Sequence, residues 1–258
     1  MVPVSVVTTV YNREKYLIRA IESVLSQQYE NFEYIIWDDG STDKSLEVAQ
    51  YYASQDDRIK VIAADHQGRG LSVSEACKLA QGKYLGLVDS DDLLAVDCLS
   101  ETVNFLEQSS QVDMVYTDYL VVDANEKFKQ YGPTCSVEYS PEKLLTDFML
   151  FHFRLMKRSA FEKAGGFDPA FEYCQDYDLC LRLSEFADIQ HLKKPLYYYR
   201  QHASSISFEK RLEQLLFGKQ AIENAMKRRG LESDFDLEFQ IFARCTLYRK
   251  AAAIATES

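Results

Sequence analysis

Short apolar stretches rich in β-branched residues alternate with amphipathic stretches along the first half of the chain. The apolar stretches end in polar residues and predict β-strands at residues 4–10, 34–37, 59–63, 84–88 and 114–116. Helical periodicity marks the segments between them, at residues 17–25, 43–53, 71–81 and 97–108. This alternation predicts an α/β fold in which helices flank a mostly parallel central sheet.

The second half of the chain carries a more mixed pattern. Residues 119–137 are typical of a hairpin, and Pro141 follows a serine as at the first turn of a helix. Another helical pattern begins at Asp176. We expect these elements to complete one domain, which we predict to span residues 1–205.

An amphipathic helical pattern starts at Phe208, breaks near Gly230 and resumes at Phe239. We predict a C-terminal helical extension over residues 206–258. Lysines and arginines interleave with its apolar residues, so the helix could pack on its own domain, pair two subunits in a homodimer, or lie on a membrane surface. The pattern leaves these three outcomes open.

Composition narrows the class of partner. The 258 residues are 47% hydrophobic and 13% aromatic, which is enough apolar surface for a folded core. The formal net charge of -11 disfavours contact with a phosphate backbone. We therefore expect no nucleic-acid partner.

Cysteine usage and the start of the chain bear on its compartment. The six cysteines form no Cys-x-x-Cys pair and show no regular spacing. The first residues lack the basic and apolar segments of a signal peptide, and no apolar run is long enough to span a membrane. We expect a reduced, cytoplasmic protein, with peripheral contact at the inner face of the membrane left open.

The cluster Asp89-Ser90-Asp91-Asp92 directly follows the strand predicted at residues 84–88. Three crowded carboxylates repel one another unless a cation joins them. Hard oxygen ligands suit Mg²⁺ or Mn²⁺, which also bind diphosphate oxygens and neutralise a departing phosphate. The alternative is an Asp-rich turn that caps a helix over residues 93–99.

A second acidic cluster, Asp38-Asp39-Gly40-Ser41-Thr42-Asp43, also closes a predicted strand and opens a helix. Gly40 permits a tight turn, and the residues after it can cap the helix. Asp39 could in addition accept a hydrogen bond from the N–H of a nucleobase, and Tyr11 offers a flat face on which that base could stack.

Two further candidates lie late in the chain. Asp176, at the start of a helix, is favoured in its ionised form by the helix dipole, and an ionised carboxylate can take a proton from an attacking hydroxyl. A plain helix cap by Asp176 or Asp178 is the alternative. His202 follows an aromatic strand-like run, and metal ligation competes there with an ordinary surface or hydrogen-bonding role.

Taken in order, these segments resemble the large inverting glycosyltransferase group often called family two, which has the Rossmann-like GT-A fold. The resemblance covers roughly residues 3–205. It depends on five ordered motifs, which are Val6-Val7-Thr8-Thr9-Val10-Tyr11-Asn12, Asp38-Asp39-Gly40-Ser41-Thr42-Asp43, Gly82-Lys83-Tyr84 with Asp89-Ser90-Asp91-Asp92, Gly165-Gly166-Phe167-Asp168, and Gln175-Asp176-Tyr177-Asp178-Leu179.

The resemblance implies a role for each candidate. Thr9, Tyr11 and Asp39 would hold a nucleobase, most often uracil. The full set of donor-binding residues is then Thr9, Tyr11, Asp39, Arg69, Asp89 and Ser90. The ligands of Mn²⁺ or Mg²⁺ would be Asp91, Asp92 and His202, and Asp176 matches the catalytic base.

Two departures from the family pattern accompany these matches. Gln175 stands where the family often has a glutamate before the base, so one nearby charge is missing. Residues 71–74, including Val73, replace an Ala-Arg-Asn segment, and we assign the role of its arginine to Arg69.

The expected reaction is transfer of a sugar from a nucleotide diphosphate donor, UDP-linked, to a hydroxyl of a saccharide or lipid-linked acceptor, with inversion. Such a reaction serves polysaccharide or glycoconjugate synthesis. A sugar nucleotidyltransferase is one alternative, although no early Gly-rich loop followed by a basic residue occurs. A module that binds nucleotide sugars but transfers them weakly is the other.

Overall fold

The structure, a computed structural model, describes residues 3–203, 205 and 209–238. Its strands are β1 Val4–Val10, β2 Phe32–Asp39, β3 Ile59–Ala64, β4 Tyr84–Leu87, β5 Leu93–Leu94, β6 Met114–Asp123, β7 Phe128–Tyr131, β8 Arg154–Lys157 and β9 Ile189–Gln201. Its helices are α1 Glu14–Leu25, α2 Ser45–Ala53, α3 Arg69–Lys78, α4 Cys98–Gln108, α5 Arg158–Lys163, α6 Gln175–Leu183 and α7 Arg211–Arg228.

All nine strands join one sheet in the order β3-β2-β1-β4-β8-β6-β9-β5, and β7 pairs with β6 outside this path. Strands β3, β2, β1 and β4 are parallel neighbours, and β6 and β9 are parallel to each other. Strand β8 is antiparallel to both β4 and β6. The predicted α/β fold with a mostly parallel sheet and flanking helices is confirmed.

Both faces of the central strands are buried, which explains why the first strands read as continuous apolar runs. Successive residues of β1 point to opposite faces, so Val7 packs in one core and Val6 in the other. Helices α3, α6 and α7 cover the first face, and α1 and α4 cover the second. Helix α1 buries one apolar stripe, made of Leu17, Ala20, Ile21 and Val24.

Residues 119–137 contain the predicted hairpin, because the end of β6 turns into β7 and the two strands pair in antiparallel fashion. Pro141 does not open an α-helix. It precedes a single 3₁₀ turn at Lys143–Leu145. The proposed helix cap after the acidic cluster is also wrong, since Leu93–Leu94 forms a short strand on β9 and α4 starts only at Cys98.

Helix α7 lies within the predicted extension, and it packs against α6 through Ala221, Ile222, Ala225 and Met226. Leu212 and Leu216 on its other side are exposed. The helical pattern predicted from Phe239 onward, and Phe208 at its start, lie outside the described residues. No helix in the part that the structure describes is both long and apolar enough to cross a membrane. Membrane contact, a homodimer and the domain boundary at residue 205 stay predictions.

Candidate active site

Strands β1, β2 and β4 are parallel neighbours, so the polar segments that follow them meet at one edge of the sheet. The register pairs Val10 with Asp38, and it pairs Val7 with both Ile35 and Leu87. Tyr11, Asp39 and the acidic cluster from Asp89 onward therefore come together at this edge. Thr9 lies half-buried at the end of β1, opposite Trp37 in the register, and Ser90 is buried.

The Asp39 carboxylate holds the loop that leads into α3. Its Oδ1 accepts hydrogen bonds from the backbone N–H of Gln67 at 2.9 Å and from the hydroxyl of Ser72 at 2.7 Å. Its Oδ2 accepts one from the N–H of Gly68 at 3.1 Å and lies 2.9 Å from His66 Nδ1. Asp39 thus fixes the start of α3. A nucleobase that bonded Asp39 would add to the hydrogen bonds that this carboxylate already makes within the loop.

Tyr11 is exposed and stacks on His66, with ring centroids 4.1 Å apart and an angle of 17° between the rings. Gly40 brings the two loops close, because its φ is +72° and a Cβ there would lie 2.6 Å from the backbone nitrogen of His66. His66 covers one face of the Tyr11 ring, so a base stacked on this exposed ring would lie on its other face or take the place of His66.

Arg69 reaches the acidic cluster from the first residue of α3. Its Nη2 donates to Asp89 Oδ1 at 2.6 Å, and its backbone N–H donates to Glu172 at 3.0 Å. His152 Nε2 lies 3.3 Å from the other oxygen of Asp89. Burial acts to raise the pKa of Asp89, but Arg69 and His152 outweigh it and hold that pKa well below its usual range. Asp89 is thus an ionised carboxylate that pairs with the Arg69 guanidinium and contacts His152.

The Asp91 carboxylate, like that of Asp89, is partly exposed. Its Oδ2 lies 3.0 Å from His202 Nε2 and 3.4 Å from Arg13 Nε. His202 follows the end of β9, and its ring stacks on Tyr16 with centroids 4.2 Å apart. The fold therefore joins two residues that are more than a hundred positions apart in the sequence.

Asp92 lies beneath this pair and is 1% exposed. Its Oδ1 accepts the backbone N–H of Arg200 at 2.7 Å, and its Oδ2 accepts the hydroxyl of Tyr197 at 2.9 Å. Burial, together with the charges of Asp91 and Asp89, raises the pKa of Asp92 well above its usual value. Both oxygens of Asp92 thus tie the cluster to β9, which gives it a structural role in this geometry, and its role as a metal ligand stays a prediction.

The Asp91–His202 pair fits a divalent cation in its spacing. Ligands of octahedral Mg²⁺ or Mn²⁺ lie at about 2.1 Å from the ion, which puts neighbouring ligands roughly 3 Å apart. The 3.0 Å between Asp91 Oδ2 and His202 Nε2 agrees with that spacing. Among the described residues, no three His, Cys, Asp or Glu side chains are grouped to hold a metal ion unaided. Oxygens of a substrate and water would have to complete the site.

Asp176 lies in the first turn of α6, and its side chain is 31% exposed. Its Oδ1 accepts the N–H of Tyr177 at 2.9 Å, and its Oδ2 accepts Arg154 Nη2 at 3.0 Å. Arg154 in turn lies beside His152, which contacts Asp89. A continuous line of polar contacts thus joins the helix-start aspartate to the acidic cluster.

Several residues of this site were not singled out from the sequence. They are Arg13, His66, His152, Arg154, Glu172, Tyr197 and Arg200. His152 and Arg154 carried a signal, because they interrupt the apolar run of residues 148–156 at alternate positions. A buried polar residue inside a strand-like run points to a specific partner.

Several solved structures have a similar fold. S. aureus TarS, residues 1–349 in complex with UDP-GlcNAc, matches with a TM-score of 0.70 and 20% sequence identity, covering 91% of this chain and 68% of that chain. The mannosyltransferase PcManGT from Pyrobaculum calidifontis, in complex with GDP-Man and Mn²⁺, matches with a TM-score of 0.65 and 18% identity, covering 87% and 67%. These likenesses show a GT-A fold.

The sequence comparisons show the family. The profile of Glycosyl transferase family 2 matches residues 5–165, more than half of the chain. This chain therefore belongs to glycosyltransferase family 2, as its motifs predicted. Chondroitin synthase of Escherichia coli is 31% identical over 207 residues, and hyaluronan synthase of Pasteurella multocida is 31% identical over 207 residues. Each alignment covers 80% of this chain but only 30% and 21% of those proteins.

Proposed function

We propose that this chain transfers a sugar from a UDP-sugar to a hydroxyl of a growing saccharide, with inversion at the anomeric carbon. The observation that carries the proposal is the presence of two separate charged centres on one open edge. One is the Asp91–His202 pair, and the other is Asp176, held by Arg154. Glycosyl transfer needs both, because negative charge grows on the departing diphosphate while a proton leaves the acceptor.

The donor side is argued from the loops after β1 and β2. Tyr11 presents an exposed ring, and Asp39 and Thr9 lie next to it at the ends of their strands. A uracil ring stacked on Tyr11 would place its N–H toward Asp39 and direct the diphosphate toward Arg69 and the acidic cluster. UDP is favoured because TarS, which shares the fold, is described with UDP-GlcNAc.

A divalent cation, Mn²⁺ or Mg²⁺, would be held by Asp91 and His202 together with diphosphate oxygens and water. When bound, it neutralises charge on the leaving diphosphate. Asp89 and Arg69 form the adjoining wall, where Asp89 can accept from a ribose hydroxyl and Arg69 can donate to a phosphate oxygen. Asp92 and Tyr197 hold this wall against β9.

On the acceptor side, Asp176 receives the proton of the attacking hydroxyl. The new bond forms between that oxygen and the anomeric carbon as the bond from the same carbon to the diphosphate oxygen breaks. The leaving UDP keeps the electron pair. A single in-line displacement of this kind inverts the anomeric configuration, and no side chain of this protein becomes covalently attached to the sugar.

The acceptor class follows from the relatives. They are named for the synthesis of chondroitin and hyaluronan, so we propose that this chain extends a polysaccharide. A lipid-linked saccharide would fit the same site, because the acceptor edge beside Asp176 is open to solvent.

A panel of nucleotide sugars with and without Mn²⁺ tests the proposal. UDP-GlcNAc, UDP-GalNAc, UDP-glucuronate, UDP-glucose and GDP-mannose would be screened by thermal shift, and then by UDP or GDP release with chondroitin and hyaluronan oligosaccharides as acceptors. We expect a UDP-sugar to raise the Tm by several degrees only when Mn²⁺ is present. Saturation at about a hundred times Kd adds about 2.7 kcal/mol to the free energy of unfolding.

The other functions give different results in the same assays. Pyrophosphate release from UTP and a sugar 1-phosphate would show a nucleotidyltransferase. Mn²⁺-dependent binding of UDP-sugars with no UDP release on any acceptor would show a binding module and would contradict the proposed transfer.

A further inference from the structure

Arg154 is the first residue of β8, His152 lies two residues before it, and their contacts lie between the acidic cluster and α6. Both side chains are almost fully buried, at 7% and 8% exposure. Taking a guanidinium out of water is costly unless it is paired and hydrogen-bonded. No chemical step of the proposed transfer uses either side chain, so their burial at this place needs a reason.

The Arg154 guanidinium is held at both of its terminal nitrogens. Nη1 donates to the backbone carbonyl of Leu150 at 2.8 Å, and Nη2 donates to Asp176 Oδ2 at 3.0 Å. Burial acts to lower the pKa of Arg154, but Asp176 outweighs it, and the pKa is raised. Arg154 is therefore a cation whose guanidinium is held in one orientation, with Nη2 directed at the Asp176 carboxylate.

His152 extends this line to the donor side. Arg154 Nη2 lies 3.4 Å from His152 Nδ1, and a guanidinium can only donate. Nδ1 therefore accepts in this contact, and the other ring nitrogen, Nε2, faces Asp89 Oδ2 at 3.3 Å. Stacking on Tyr197, with centroids 4.8 Å apart, holds the ring in this orientation.

A second arginine–aspartate pair on α6 shows what a purely structural pair looks like. Arg182 bonds Asp178 four residues earlier, and it also donates to the carbonyls of Ala164 and Gly166. Asp178 is 3% exposed, whereas Asp176 is 31% exposed toward the site. The Arg182–Asp178 pair is largely buried and closes a loop, whereas the Arg154–Asp176 pair leaves its carboxylate partly exposed.

We propose that Arg154 is the positioning residue of the acceptor base. It holds Asp176 Oδ2 so that the carboxylate faces the attacking hydroxyl, and His152 ties that geometry to Asp89 on the donor side. The inference depends on the proposed function, because Asp176 must be the base. Without Arg154, the carboxylate can rotate toward solvent on the open first turn of α6.

Arg154→Lys tests the inference, because lysine keeps the charge but loses the fixed fork. Misplacing a reacting group by about 1 Å costs roughly 100-fold. We expect kcat for UDP release to fall by about that factor, while the Kd for UDP with Mn²⁺ stays within about twofold. Arg182→Lys is the matched control, and we expect it to lower the Tm while leaving kcat per UDP-binding site unchanged. Counting UDP-binding sites corrects both variants for any unfolded fraction.

A double-mutant cycle separates positioning from folding. In an Asp176→Asn background there is no base left to position, so Arg154→Lys should change the residual rate by less than about twofold. An equal loss in both backgrounds, or a loss no larger than that of Arg182→Lys, would overturn the inference while leaving the proposed function intact. Absence of UDP release by the unaltered protein on every acceptor would instead overturn the proposed function.

Discussion

Asp176→Asn is expected to lower kcat for sugar transfer by about 10³-fold, because a positioned general base contributes typically 10²–10⁴-fold to a rate. Asparagine keeps an oxygen that can accept from Arg154, and it fits the same space in the first turn of α6, but it cannot take the acceptor proton. Donor binding should survive, since Asp176 lies on the acceptor side. The measurement is the rate of UDP release with a saccharide acceptor, together with the Kd for UDP.

Asp178→Asn is the control for this variant, because Asp178 lies two residues further along the same helix and its carboxylate bonds Arg182. It should lower the Tm and leave kcat per folded molecule within about twofold. Near-normal turnover by a correctly folded Asp176→Asn protein would remove Asp176 from the base role.

Asp91→Asn should have the second large effect, on cation binding. Removing a residue that only hydrogen-bonds a metal ligand typically lowers metal affinity 10–100-fold. Loss of a charged ligand should therefore weaken Mn²⁺ binding by at least about 100-fold and lower kcat/KM at fixed Mn²⁺ by a similar factor. The affinity is measured by titrating the protein with Mn²⁺ in the presence of UDP and following free Mn²⁺ by electron paramagnetic resonance.

Two further variants give this experiment its controls. Asp97→Asn alters a carboxylate just before α4, outside the acidic cluster, and should leave Mn²⁺ affinity unchanged. His202→Ala should weaken Mn²⁺ binding, and combining it with Asp91→Asn should cost less than the sum of the two losses, because both side chains serve one ion. Unaltered Mn²⁺ affinity in Asp91→Asn would mean that the cation binds elsewhere.

The parts of the fold that depend on the periodicity of neighbouring residues were predictable from the sequence. Strands β1 to β4 are apolar runs broken by amphipathic helices, and this period change identifies parallel α/β units without knowledge of distant contacts. The antiparallel insertion of β8 between β4 and β6 was not predicted. Four residues, Arg154–Lys157, carry no hairpin or turn signal toward either neighbour, and their pairing is set by the whole sheet.

The candidate site also has a part that the sequence indicated and a part that it did not. The acidic residues stand out in the sequence, because Asp39, Asp89 and Asp91 follow apolar strands and Asp176 begins a helical pattern, and their functional roles stay predictions. The residues that contact these carboxylates could not be predicted from the sequence. Arg13, His152 and Arg154 contact carboxylates about 20 to 80 positions away, and the linear spacing does not show that they converge.

Asp92 shows the limit of a motif most clearly. Next to Asp91 in the sequence, it appears equally able to bind a cation. In the fold its oxygens face Tyr197 and the Arg200 amide, because consecutive side chains at a strand end point in different directions. The backbone turn after the strand decides whether a carboxylate faces the open site or bonds neighbouring strands.

The central claim is that Asp91 and His202 share a divalent cation with the diphosphate of the donor. Crystals of the protein soaked with UDP and Mn²⁺, measured at the manganese absorption edge, test it most directly. We predict an anomalous peak within about 2.3 Å of both Asp91 Oδ2 and His202 Nε2, with diphosphate oxygens on its other side. An ordered UDP whose Mn²⁺ peak lies away from both side chains, with Asp91 still bonded to His202, would contradict the account.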